Sequence, residues 1–219
     1  MCFFTLEDLF LFMNFNPSMF SILLCVIECF MKPIISFEHG GSLFVGSAVD
    51  AADSLLLKKH GVKRIVNVAK EIRCFHAEFE YLHLELDDDP DEPIERVFEE
   101  VCKFIEEAKR GDSVFVHCQA GISRSVTVCI AFLILRRKMS LRDAYLIVKE
   151  ARPIAGPNIG FWKSLQQLDG AGEFSLHEYL VLALEEMGFE KEKAEAEMTR
   201  FRDDFDSALR ALIRDQMAE

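Results

Sequence analysis

Apolar positions in the middle of this chain follow two alternating rhythms. Short runs rich in Val, Ile and Leu occupy residues 43–45, 64–68, 81–86 and 114–116, and each reads as a strand. Between them the apolar residues recur three and four apart. The clearest case is 94–109, where positions 94, 97, 98, 101, 104, 105 and 108 share one helical face. The same pattern predicts helices at 48–59, stopped by Gly61, and at 126–135. Ser140, with Asp143 three residues later, opens another helix through residue 151. Pro153 and Pro157 end it, and a last helix follows over 158–168. Strand and helix taking turns predict an α/β fold: a small mixed sheet flanked by helices, with a site at the carboxyl end of a strand.

Two segments flank this region, residues 34–169. Residues 1–31 hold seven of the twenty phenylalanines and no Lys or Arg, forming an apolar N-terminal extension. A secretory signal would begin with positive charge, and here Glu7 and Asp8 stand instead. A membrane span needs about twenty uninterrupted apolar residues; Asn14, Asn16, Pro17 and Glu28 interrupt this one. An extension that does not span a membrane is the expectation. At the other end Gly170-Ala171-Gly172 reads as a linker. Beyond it, residues 173–219 predict three amphipathic helices: one ending at Met187-Gly188-Phe189, a second over 190–200 and a third over 203–213.

Charge narrows the partners. The net charge of −12 speaks against nucleic acid, and it is unevenly spread. Residues 173–219 carry 13 acidic and 6 basic side chains, whereas 32–172 carry 21 and 19. The seven cysteines, at 2, 25, 29, 74, 102, 118 and 129, follow no disulfide spacing, and the six histidines show no metal-ligand spacing. No metal or other cofactor is expected, and the compartment should be reducing, cytoplasmic or nuclear.

Chemistry concentrates in VFVHCQAGISRSVTVCIAFLIL, residues 114–135. A buried strand runs into a turn with Gly121 at its middle, and then into a buried helix. Such a turn aims free backbone N–H groups at one point, at the positive end of the helix dipole, and so holds an anion. Cys118 opens the turn and Arg124 closes it. A thiol at a helix N-terminus beside an arginine belongs to the readily ionised, nucleophilic cysteines, and a guanidinium clamps two oxygens of a phosphate.

The stretch HCQAGISRS resembles the HCxxGxxRS signature of the cysteine-dependent protein phosphatases, in wording most similar to the dual-specificity branch. VGS, NVA and PNIGF stand in the family's order, so the resemblance covers about 135 residues, from 34 to 169. It implies attack on phosphorus by Cys118. Phosphate would be bound by Gln119, Ala120, Gly121, Ile122, Ser123 and Arg124. Ser125 would assist departure of the thiolate, and His117, Asn67 and Asn158 would brace the loop. The leaving-group acid would be an aspartate in LELDDDPDEPIERVF; the family's ten-residue offset, counted back from Phe98, selects Asp88, with Asp87 and Asp89 one residue to either side. The substrates implied are phosphotyrosine and phosphoserine or phosphothreonine in proteins. A phosphate-capturing adaptor of the same fold would lack the nucleophile, which is present here. The MAP-kinase-directed members carry an additional N-terminal kinase-docking domain, which the apolar residues 1–31 are not expected to replace.

The tail resembles the ubiquitin-associated domain, whose loop corresponding to Met187, Gly188 and Phe189 contacts ubiquitin. The competing expectation is a helical tail docked on the catalytic region, with Met187 and Phe189 in its core.

Overall fold

The computed structural model describes residues 31–170 and 174–218. The expectations for the first thirty residues, and for the linker at 171–172, lie outside the described residues.

Five strands form one sheet: β1 (Ile35–Ser36), β2 (Ser42–Gly46), β3 (Val62–Asn67), β4 (Glu80–His83) and β5 (Ser113–His117). Their order is β1-β2-β5-β3-β4, parallel throughout except for the antiparallel edge strand β1. β5 lies at the centre and is buried at all five positions, as a parallel strand covered on both faces must be. The register brings Gly46, His117, Asn67 and His83 into one row at the carboxyl edge. Every loop leaving that row starts beside the others, and the site is built there.

β2 leads into α1 (Ala48–Ala52) and α2 (Ser54–Lys59). One helix was expected over 48–59; Asp53 divides it, because its carboxylate accepts from the Leu56 N–H at 2.9 Å and starts a new helix. The expected helix at 94–109 opens with a 3-10 turn, Ile94–Val97, before α3 (Phe98–Glu106). The expected strand at 81–86 pairs as β4 and then continues as a bonded extension, with the Leu84 N–H on the Asn67 carbonyl at 2.8 Å. The short β1 was not anticipated.

After β5 comes α4 (Arg124–Arg137), whose residues 124–134 are all buried. A helix apolar all round belongs inside. It packs among α3, α5 (Leu141–Ala151) and α6 (Ile159–Asp169). Ser140 and Asn158 cap α5 and α6 by accepting from the N–H groups of Asp143 and Phe161.

Three helices follow: α7 (Leu176–Glu186), α8 (Lys191–Arg200) and α9 (Phe205–Ala218). Their apolar faces join the main core. The Tyr179 ring lies parallel to Trp162, with centroids 3.9 Å apart, and meets Tyr145 edge-on. Phe174 packs against both Trp162 and Tyr145, and Leu180, Val181 and Leu184 are buried in the same cluster. Residues 33–219 accordingly form one compact unit. Among the described residues no helix is long and apolar enough to cross a membrane. Nor, among those residues, does any group of three or more His, Cys, Asp or Glu converge as metal ligands would.

Candidate active site

The turn between β5 and α4 is shaped from outside. Each carbonyl from Gln119 to Ser123 is captured, two of them by one guanidinium. Gln119 O accepts from the Ala48 N–H at 3.0 Å, and Ala120 O and Gly121 O accept from the Arg152 guanidinium at 3.0 and 3.1 Å. Ile122 O accepts from the Gly156 N–H at 2.8 Å, and Ser123 O from the N–H and hydroxyl of Thr127. With the Ala120 carbonyl drawn outward, the opposite edge of the same peptide plane turns its N–H toward Cys118. The Gly121 N–H donates to the Cys118 sulfur at 3.2 Å. Gly121 has φ +69°, and a Cβ there would sit 2.6 Å from the Gly46 carbonyl, so only glycine closes this turn.

Cys118 is buried, and the Ser125 hydroxyl is 3.3 Å from its sulfur. His117 Nδ1 lies 3.2 Å from the Cys118 carbonyl, and burial pushes its imidazole down to about 4. A neutral ring donates to that carbonyl at the end of the strand.

Arg124 is buried too, with Nη1 donating to Leu86 O at 3.0 Å. Glu71 takes the far edge of its guanidinium through two bonds, and the bond to Arg124 in turn holds the Glu71 carboxyl below the usual carboxylate range. Arg124 Nε is buried without a hydrogen-bond partner; it lies 3.4 Å from Asp88 Oδ2, out of line for a bond. The edge left open is the one beside the loop.

Of the aspartate run, Asp88 reaches the loop. Its Oδ1 accepts from the Ser123 hydroxyl at 2.8 Å and from the Asn158 side-chain amide at 3.0 Å. Asp87 instead pairs with Lys70 on the surface, and Asp89 closes its own turn by accepting from the Asp91 N–H. Asn158 also donates its backbone N–H to the Ser123 hydroxyl at 3.2 Å. Asn67 stands behind the loop. Its side chain bonds the Ile72 carbonyl and the Ala69 N–H, folding the turn that presents Glu71 instead of touching the phosphate loop.

Sequence reasoning missed Glu71 and Arg152. Arg152 is bonded to the loop and to Asp50 at 3.3 Å, which also belongs to the α1 capping box on Ser47. The available signals were an acid four residues beyond Asn67 and a cation just before Pro153. Met187 is 56 % exposed at the α7–α8 turn, Gly188 has φ +95°, and Phe189 is half-buried against the core. These three stand apart from the phosphate loop in sequence and take no part in its hydrogen bonds.

A thiol that takes a loop N–H at a strand-to-helix turn, with a buried arginine and a carboxylate beside it, defines a cysteine-dependent phosphatase site. The chain belongs to the dual specificity phosphatase family, whose catalytic domain matches residues 43–170. It is 41 % identical over 135 residues to dual specificity protein phosphatase 1 of Arabidopsis thaliana, spanning 61 % of this chain and 68 % of that protein. To human dual specificity protein phosphatase 22 it is 36 % identical, spanning 67 % and 78 %. Against mouse dual specificity protein phosphatase 14 the identity is 40 %, over 57 % of this chain and 64 % of that one. Among solved structures, human DUSP28 superposes with a TM-score of 0.57 at 38 % identity, covering 59 % of this chain and 88 % of that one.

Proposed function

We propose that this protein hydrolyses phosphotyrosine and phosphoserine or phosphothreonine in protein substrates through a phosphocysteine intermediate. The observation that carries this reading is the outward capture of every carbonyl from Gln119 to Ser123 around the Cys118 sulfur. The N–H groups so released, and the open edge of Arg124, surround the three equatorial oxygens of a phosphoryl group. Cys118 sulfur attacks phosphorus, the bond to the tyrosine, serine or threonine oxygen breaks, and Asp88 delivers a proton to that oxygen. In the second step Asp88 takes a proton from water as water attacks phosphorus. The sulfur leaves as a thiolate, which accepts a hydrogen bond from Ser125. Ile122, 39 % exposed in the loop, supports a site shallow enough for the shorter side chains. A working thiol supports a reducing compartment, cytoplasmic or nuclear.

The test is Cys118→Ser with Arg124→Lys. Cys118→Ser should lose essentially all turnover of an aryl phosphate and still bind phosphopeptide; Arg124→Lys should be severely impaired, because a point charge makes no two-point clamp. More than a few per cent activity in Cys118→Ser would sink the mechanism.

For the tail, the exposed Met187 beside Gly188 and Phe189 supports a contact with ubiquitin. Titrating labelled ubiquitin with the full chain, native and Met187→Asp, tests it; unchanged ubiquitin spectra with the native chain would remove ubiquitin from the partners.

A further inference from the structure

The matched family region ends at residue 170, but the chain returns to the shoulder of the catalytic loop. There α7 and the start of α9 form a groove of about 320 Å³ against the segment that precedes α6. Its apolar lining includes Ile159, Leu180, Ala183 and Phe205, and Asp203, Asp204 and Asp206 stand along one side. We infer that this groove receives a stretch of the phosphoprotein substrate itself, one that carries an apolar residue together with lysine or arginine. The inference rests on the hydrolytic reading of the Cys118 site.

Continuity is the first argument. Asn158 lines the groove and is also part of the site, its side chain on Asp88 and its N–H on the Ser123 hydroxyl. One residue separates the two spaces. An extended substrate advances about 3.3 Å per residue, so a groove bordered by the same residue as the loop is within reach of the residues flanking the phosphorylated side chain.

Charge complementarity is the second. Three carboxylates and no cation line the groove. Two of the three are fixed: Asp203 Oδ1 is 2.6 Å from His177 Nδ1, and Asp204 accepts from the Ser207 hydroxyl at 2.8 Å. On the other side of the α6 N-terminus runs the loop of Asp87, Asp89, Asp91 and Glu92, where Lys70 pairs with Asp87 and Arg96 with Glu92, leaving Asp89 and Asp91 as its net negative charge. It packs so closely that a Cβ on Gly160 would sit 1.8 Å from the Pro90 carbonyl. A substrate leaving the phosphate loop in this direction therefore runs between negative walls, which favour a basic segment and disfavour an acidic one.

Rigidity is the third. Tyr179, which also lines the groove, is stacked on Trp162 and donates its hydroxyl to the Pro157 carbonyl at 2.6 Å. The groove thus keeps a fixed distance from the catalytic loop, and a substrate touching both makes one continuous contact.

The experiment uses the full chain and phosphotyrosine peptides of equal length. Their flanks, on either side, are basic with leucine, neutral, or acidic. Hydrolysis is compared with that of a small aryl phosphate, and peptide affinity is measured separately on Cys118→Ser by calorimetry. The native chain should prefer the basic–leucine peptide, and added salt should weaken the preference. Asp204→Asn with Asp206→Asn keeps the helix cap, since asparagine also caps. That pair should lower the basic peptide's kcat/KM by about three- to tenfold, the scale for exposed charges, and leave the aryl phosphate unchanged. Ala183→Phe, which fills the groove, should do the same. Equal use of all three peptides by the native chain would overturn the inference, as would a preference that survives both variants. If the aryl phosphate is not hydrolysed but affinity still follows the basic flank, the groove stands and the hydrolytic reading falls.

Discussion

Glu71 and Arg124 meet as a fork, with Glu71 Oε2 2.8 Å from Nη1 and Oε1 2.7 Å from Nη2. The bond fixes which side of the guanidinium faces the substrate. With Nη1 and Nη2 held by Glu71, the edge carrying Nε is the one without a hydrogen bond, 3.4 Å from Asp88 Oδ2, and a guanidinium edge can grip two phosphate oxygens together.

Glu71→Ala should release that orientation without removing the charge. An exposed carboxylate contributes less than a buried one, and Glu71 is 39 % exposed on its side chain. The expected loss is therefore about 1 kcal/mol, roughly fivefold in kcat/KM. It should be the same for good and poor leaving groups, because Arg124 acts on the phosphoryl oxygens. A series of aryl phosphates checks this; a loss that grows as the phenol becomes less acidic would assign Glu71 to the proton instead.

Asp88→Asn should show the opposite signature. Phosphotyrosine peptide turnover should fall about 10²–10⁴-fold, and an aryl phosphate with a strongly acidic phenol should be hardly affected. Asp87→Asn and Asp89→Asn, whose carboxylates face Lys70 and the Asp91 N–H, should stay near native rates. The same leaving-group series decides among the three, and a dominant effect at either neighbour would move the acid.

His117 ties stability to pH. Burial lowers its imidazole from 6.5 to about 4 in the folded chain, so between these values the unfolded chain binds the extra proton. Stability is then complete above pH 6.5 and falls as pH drops toward 4, with a contribution of about 3 kcal/mol from this group. Urea unfolding at neutral pH and near the lower limit should show His117→Gln losing less stability on acidification than the native chain. Equal losses would refute the assignment.

The tail should matter to the fold of the catalytic region. Tyr179→Phe removes the bond to the Pro157 carbonyl and should cost about 1 kcal/mol. Tyr179→Ala also opens the stack on Trp162 and should cost about 3–5 kcal/mol. Thermal unfolding followed by Trp162 fluorescence, the single tryptophan of the chain, reads both. An unshifted midpoint in Tyr179→Ala would mean that the tail folds on its own account.

Much of this was legible in the sequence because the chemistry is local. Cys118, Gly121, Arg124 and Ser125 lie within one turn, where the resemblance to the phosphatase signature takes them in together. Asp88 could be chosen from its neighbours by its offset from Phe98. Glu71 and Arg152 were not legible, because their partners lie 53 and about 30 residues away and are set by which strands are neighbours in the sheet. The tail was ambiguous for a different reason. Tyr179, Leu180 and Leu184 sit at helical spacing whether they close on one another or on Trp162. In the structure Tyr179 stacks on Trp162, a contact that spacing within the tail does not announce. Asp53 broke a helix that its apolar pattern would have continued, since a capping bond competes locally with the ladder.

The outward tethers on the phosphate loop come from α1, from Arg152 at the end of α5, from the segment before α6 and from α4 itself. No one of these can come loose without disturbing a neighbour that the core also holds. The loop is therefore not a hinge or a lid that melts early. On heating, its capacity to grip an anion should persist up to the temperature at which the sheet and its helices come apart, and vanish with them in a single event.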